Sequence, residues 1–216
     1  MNLGSLRERV RNLSGIQVVE LASDSRVEEL INEAYLELCS LHQWPFLYVS
    51  EDEPVDAGED EVDLPYPIRK LTSVVWADGD RQRRLGQVTF EELERLELDA
   101  GTPGSYAMVT EDRLLLAPEP ETAGTVLLRG LRKPARLQSD SDSPLFDAEF
   151  HTGIAYAAAS RLLAEEGDDS GRAQAYIAEA GGVLERMHSR YMRAHDTAVF
   201  QMGSRRSRKR RTWRLG

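Results

Sequence analysis

The run Leu30-Ile31-Asn32-Glu33-Ala34-Tyr35-Leu36-Glu37-Leu38-Cys39-Ser40-Leu41-His42-Gln43-Trp44-Pro45-Phe46-Leu47 constrains the fold more than any other stretch of this chain. Val27, Leu30, Ile31, Ala34, Leu38 and Leu41 recur three and four residues apart, which places them on one helical face toward a core. Glu28, Glu29, Asn32, Glu33 and Glu37 then fall on the solvated side. Ser25 followed by Glu28 predicts a capping box at the start, in which hydroxyl and carboxylate each satisfy an orphan backbone N–H. Pro45 disfavours α geometry at Trp44, so the helix is expected to end at about His42 or Gln43. Trp44 and Phe46 flank that corner and are expected to pin it to the core as a buried aromatic pair, with a binding role as the alternative.

The chain around this helix, 216 residues in all, is long enough for one large domain or two small ones. A single cysteine, Cys39, forms no intrachain disulfide and points to a reduced, cytosolic environment. The N-terminus becomes charged at Arg7, Glu8 and Arg9 before any apolar run of leader length, and no stretch is apolar enough to span a membrane. The net charge of −10 hides an asymmetry: residues 1–204 carry 20 bases against 37 acids, or −17, and the remaining segment carries +7. Those seven are Arg205, Arg206, Arg208, Lys209, Arg210, Arg211 and Arg214. An acidic body with a basic C-terminal tail implies an anionic partner for the tail, either nucleic acid or an acidic protein surface. Like charges that bury nothing leave residues after about Phe200 expected to be mobile in the isolated monomer.

Turn and period cues divide the chain further. A first helix is expected over about 6–13, stopped by Ser14-Gly15. Residues 46–50 read as a strand, 51–63 as an acidic loop, and 68–76 as the strongest strand, with Ala77-Asp78-Gly79-Asp80 as a hairpin turn to a return strand near 81–85. Thr89 and Glu92 form a capping box for a short helix to about Leu98, with Phe90, Leu93 and Leu96 inward. Strands follow at 105–109, 113–117 and 125–132. Ser143-Pro144 reads as the N-terminus of a long helix lined by Phe146, Phe150, Ile154, Ala157, Ala158, Leu162 and Leu163. A second long helix starts near Arg172 and runs through Ile177, Ala180, Leu184, Met187 and Tyr191, with Gly181-Gly182 as a possible kink. The resulting class is α+β. N- and C-terminal helices form a bundle, and a small, mainly antiparallel β-sheet is inserted between them. The corresponding domains are 1–45, 46–136, 137–203 and a basic tail over 204–216.

No catalytic constellation emerges. His42, His151, His188 and His195 lie in no zinc-protease pattern and beside no cysteine pair. Glu185 and His188 have the Glu-x-x-His spacing of di-iron bundles, but the second copy that chemistry needs is missing. The carboxylates over 51–63 lack EF-hand spacing, and there is no phosphate-binding glycine loop and no Gly-x-Ser-x-Gly elbow. The expectation is a protein without cofactor or metal that is not an enzyme, although a site split across the sequence would leave no such trace.

The order of elements, together with Ile31-Asn32-Glu33-Ala34-Tyr35, Trp44-Pro45-Phe46, Ile68-Arg69-Lys70-Leu71 and the alanine-rich segment 150–163, resembles the head-to-tail adaptor proteins of tailed bacteriophages. The resemblance implies a structural virion protein in the neck between capsid and tail, assembled in the host cytoplasm. It further implies a ring, a dodecamer in that family, that joins the portal to the tail or to a stopper or terminator protein around the DNA channel. In such a protein the C-terminal segment reaches the portal, which would make Phe200, Met202 and Trp213 apolar anchors. Arg205, Arg206, Arg208, Lys209, Arg210, Arg211 and Arg214 would then supply orientation toward portal or DNA. Either the acidic run 51–63 or the segment 86–98 is expected to face a neighbour or the channel, since acidic walls do not adhere to phosphate. The alternative function is a nucleic-acid-binding module that uses the same basic arm, with Trp213 to stack, against the repulsion of the acidic body.

Overall fold

The computed structural model describes residues 1–15, 23–96, 100–166 and 170–204, with the backbone alone for residue 166 and for 193–204. The fold is α+β, with helices at both ends of the chain and strands between them. Two compact units divide it: Met1–Pro45 joined with the chain from Arg136 onward, and Phe46–Ala135.

The helical unit is built on α1 (Leu3–Ser14), α2 (Asp24–Ser40), α4 (His151–Glu166) and α5 (Ser170–Ser204). Helix α4 lies at its centre, which is why Ile154, Ala155, Ala158, Ala159 and Leu162 are all fully buried. Small side chains there let neighbours approach closely: a Cβ on Gly153 would stand 2.9 Å from Val183 Cγ1 of α5. At the start of α1 the first three helical N–H groups are matched: Asn2 Oδ1 accepts from Ser5 N, while Leu3 N and Gly4 N donate to the carbonyls of Asp142 and Asp140. Gly15, at φ 73°, supplies the left-handed cap that ends α1, as Ser14-Gly15 predicts.

Helix α2 departs from expectation at both ends. Its N-cap is Ser23, whose Oγ accepts from Arg26 N at 3.3 Å, rather than Ser25. Starting there puts Asp24 in the first turn, where the helix dipole favours a carboxylate, and leaves Glu28 to bond Arg7 at 2.5 Å. The helix stops at Ser40, earlier than Pro45 alone requires, because Trp44 folds back and its Nε1 donates to Leu38 O at 2.9 Å, one of the orphan carbonyls of the last turn. Trp44 is fully buried, as the core reading of the corner expects; Phe46 is only half-buried. Nor is the polar side uniformly wet. Asn32 is buried, and Glu33 and Glu37 pair with Arg161 of α4.

The first long helix begins later than Ser143-Pro144 suggests, and the second begins at Ser170, two residues before Arg172. Pro144 lies in irregular chain, and a 3-10 turn, Ala148–Phe150, leads into α4; upstream, the donors at 138 and 139 are taken by Asp142 Oδ2 in a local loop. Those bonds hold the Asp142 carboxyl below its usual range. Helix α5 is continuous through Gly181-Gly182 for 35 residues.

The other unit has two four-stranded sheets rather than one. Strands β1 (Tyr48–Val55), β8 (Gly124–Arg132), β3 (Ile68–Asp78) and β4 (Arg81–Arg84) form the first in that order; β2 (Glu61–Asp63), β7 (Arg113–Ala117), β6 (Ser105–Thr110) and β5 (Gly86–Gln87) form the second. All pairings are antiparallel except β5 with β6. Val74, Trp76, Val126 and Leu128 meet Val62, Tyr106, Leu114 and Leu116 in one core. The β3–β4 turn is the expected hairpin, with Gly79 at φ 56° in its first central position. Two glycines allow β8 to lie close: a Cβ on Gly130 would stand 2.5 Å from Lys70 O, and one on Gly124 2.3 Å from the Trp76 ring.

Two expectations fail in this unit. The acidic run is not a loop throughout: β1 extends through Glu51, Asp52 and Glu53 to Val55, and Glu61–Asp63 is β2. Their pairing partners lie some 70 and 50 residues further on, so local composition does not reveal them. The Thr89 capping box is present, yet α3 (Phe90–Glu94) spans just over one turn. Phe90 and Leu96 are each 41% exposed, and only Leu93 is half-buried.

Candidate assembly surfaces

An aromatic cluster fixes α5 where it leaves its described packing. The Trp44 ring meets His42 edge-on at 4.8 Å and Tyr191 at 6.2 Å, and Tyr191 in turn contacts Phe150 at 5.7 Å. Tyr191 OH accepts from Asp147 N at 3.0 Å, and burial pushes its phenol up from the ordinary value. His188, of the Glu-x-x-His spacing, packs its ring on His42 at 4.9 Å. Beyond Tyr191 the helix backbone continues to Ser204, about 20 Å at 1.5 Å per residue. Phe200 and Met202 lie on that stretch. Arg205, Arg206, Arg208, Lys209, Arg210, Arg211, Trp213 and Arg214 follow it directly and lie outside the described residues, as does the expected mobility of that segment.

A second surface is an open groove of about 390 Å³ in the helical unit, lined by Leu38, Leu41, Ala157, Ile177 and Leu184 among others. Leu41 is 49% exposed and Ile177 53%. Leu41 is expected on the core face of its helix, but α2 ends at Ser40 and leaves it uncovered. The groove mouth carries the ion pair of Arg161 and Glu37.

The third is electrostatic. From 48 to 63 the chain holds eight acids and no base, whereas β4 contributes Arg81, Arg83 and Arg84, all exposed. Arg113 engages Asp63 at 2.7 Å and Glu61 at 3.2 Å, and Tyr66 donates to Glu51. Burial and that neighbouring carboxylate push the Tyr66 phenol up.

A family model described as SU10 adaptor protein matches residues 1–208. The chain belongs to the SU10 adaptor protein family. It is a bacteriophage structural protein of the head-to-tail adaptor kind, and the match covers both the helical and the β-rich units. No curated protein matches the adaptor in sequence. Among its described residues no helix is long and apolar enough to cross a membrane.

Proposed function

We propose that this SU10-family adaptor assembles as a closed ring, a dodecamer on the family resemblance, in the neck of the virion. The ring joins the portal above to the tail or its stopper protein below, and DNA passes through its channel. The protein acts by binding alone, without catalysis. One observation carries this reading: the adaptor family model extends over residues 1–208 and so takes in the whole of α5, the helix that leads into the basic run.

In this reading residues from about Phe200 onward attach the ring to the portal. Phe200, Met202 and Trp213 insert as apolar anchors, while the seven basic residues orient the segment and raise its encounter rate with an acidic surface. Ordering entropy is spent only at docking, so attachment is strong where the partner is already assembled.

Removal of residues 205–216 tests the attachment. The truncated protein is expected to keep its melting temperature and to bind isolated portal particles more weakly, with the larger deficit at low salt, where unscreened charge contributes most. Equal binding by both forms at every salt concentration would exclude the tail from docking.

A further inference from the structure

The sheet ordered β1-β8-β3-β4 ends in two edges of opposite charge. β1 pairs with β8 on one flank and, among the described residues, with no strand on the other; β4 stands likewise beyond β3. Asp52 is exposed on the first edge and Asp56 one residue past its end, and Arg81, Arg83 and Arg84 are exposed on the second. These five side chains join no ion pair among the described residues, whereas Glu61 and Asp63 nearby are held by Arg113. Two acids, Asp78 at the end of β3 and Asp80 in the turn, precede β4, whose own residues are three arginines and the neutral Gln82.

Open strand edges are templates for pairing, and charge decides which pairings survive. Two β1 edges brought together set carboxylate against carboxylate, and two β4 edges set guanidinium against guanidinium; both are repulsive. Only β1 against β4 places opposite charges face to face. That contact is heterologous, because each copy offers one edge and receives the other, and repetition produces a closed ring when the rotation permits. Pro54 has no N–H, and a proline on an edge strand directs that missing donor to the free flank, so side chains carry the contact more than a continuous backbone ladder does.

We infer that in the assembled ring the acidic β1 edge of one copy docks on the basic β4 edge of the next. The inference rests on the ring reading above and names the surface that closes it.

Charge reversal tests it on the full chain assembled on portal particles, with ring formation read by native mass. One variant carries Asp52→Arg with Asp56→Arg; the other carries Arg81→Glu with Arg83→Glu. Each alone is expected to lose at least tenfold in ring yield at matched concentration. An equimolar mixture, or both reversals in one chain, should restore it, because every interface again joins unlike charges. Neutral variants at the same positions (Asp52→Asn with Asp56→Asn, Arg81→Gln with Arg83→Gln) should show the same order with smaller losses, which guards against a reversal that impairs folding. Rings formed undiminished by each reversed variant would overturn the edge contact and leave the ring reading standing. Loss without restoration in the mixture would also overturn it, and would assign the charges to portal or DNA. Failure of the unaltered protein to form any ring would overturn both.

Discussion

The side-chain amide of Asn32 and the backbone of Leu137, 105 residues apart, close a two-bond ring: Nδ2 donates to Leu137 O at 3.0 Å and Oδ1 accepts from Leu137 N at 2.7 Å. Nδ2 also donates to Glu28 O at 3.0 Å. One buried polar side chain thereby ties α2 to the segment that returns from the β-rich unit and supplies both of that residue's backbone partners.

Replacing Asn32 with Leu leaves a buried N–H and a buried C=O of Leu137 without partners. Each unmatched group costs about 1–3 kcal/mol, so a loss of about 2–6 kcal/mol is expected in urea unfolding. Asn32→Asp keeps the acceptor for Leu137 N but sets a buried carboxylate oxygen against the carbonyls of Leu137 and Glu28, and should cost at least as much. A Leu variant as stable as the parent would mean that the segment repacks without the clamp.

Trp44→Ala empties a fully buried site and removes the donor to Leu38 O. A loss of about 3–5 kcal/mol is expected, the range for deleting a core aromatic. If the melting temperature holds while assembly on the portal fails, Trp44 serves an interface and the core assignment is wrong.

His151 gives the helical unit a pH dependence. Its ring is 3% exposed, with Nε2 2.8 Å from Phe146 O and Nδ1 2.8 Å from the Met1 amine. Burial holds its pKa below the ordinary 6.5; the Phe146 carbonyl opposes it as the next-largest effect, and the nearby ammonium adds a smaller lowering one. The unfolded chain therefore binds the extra proton first as pH falls, and stability is lost from about 6.5 downward until the folded ring also protonates. The urea midpoint should drop between pH 7 and 5 in the parent and drop less in His151→Gln. Identical slopes would remove His151 from the linkage.

What could be read in the sequence follows from how local its causes are. Gly15, Gly79 and the Thr89–Glu92 box act within four residues, and each does in the structure what its spacing predicts. The class and order of the elements follow from apolar periods over one or two dozen residues. Asn32 reads as solvated because its partner is distant in sequence, and a polar residue on a helix looks the same whether or not such a partner exists. The same holds for the second half of β1: a strand is legible near 46–50, but Glu51, Asp52 and Glu53 read as loop because β8, which pairs with them, is distant in sequence. The arginines of β4 are legible as a return strand; the acidic edge that faces them in the inferred contact is not. Leu41 reads as core, since a helical period identifies an apolar face without saying what covers it.

The mass of the complex formed between the full chain and purified portal particles decides whether the adaptor closes into a ring. A discrete species with a fixed, integral number of adaptor copies on each portal is expected. A chain that stays monomeric beside the portal while binding duplex DNA tightly and with steep salt dependence would contradict it and favour a nucleic-acid-binding arm instead.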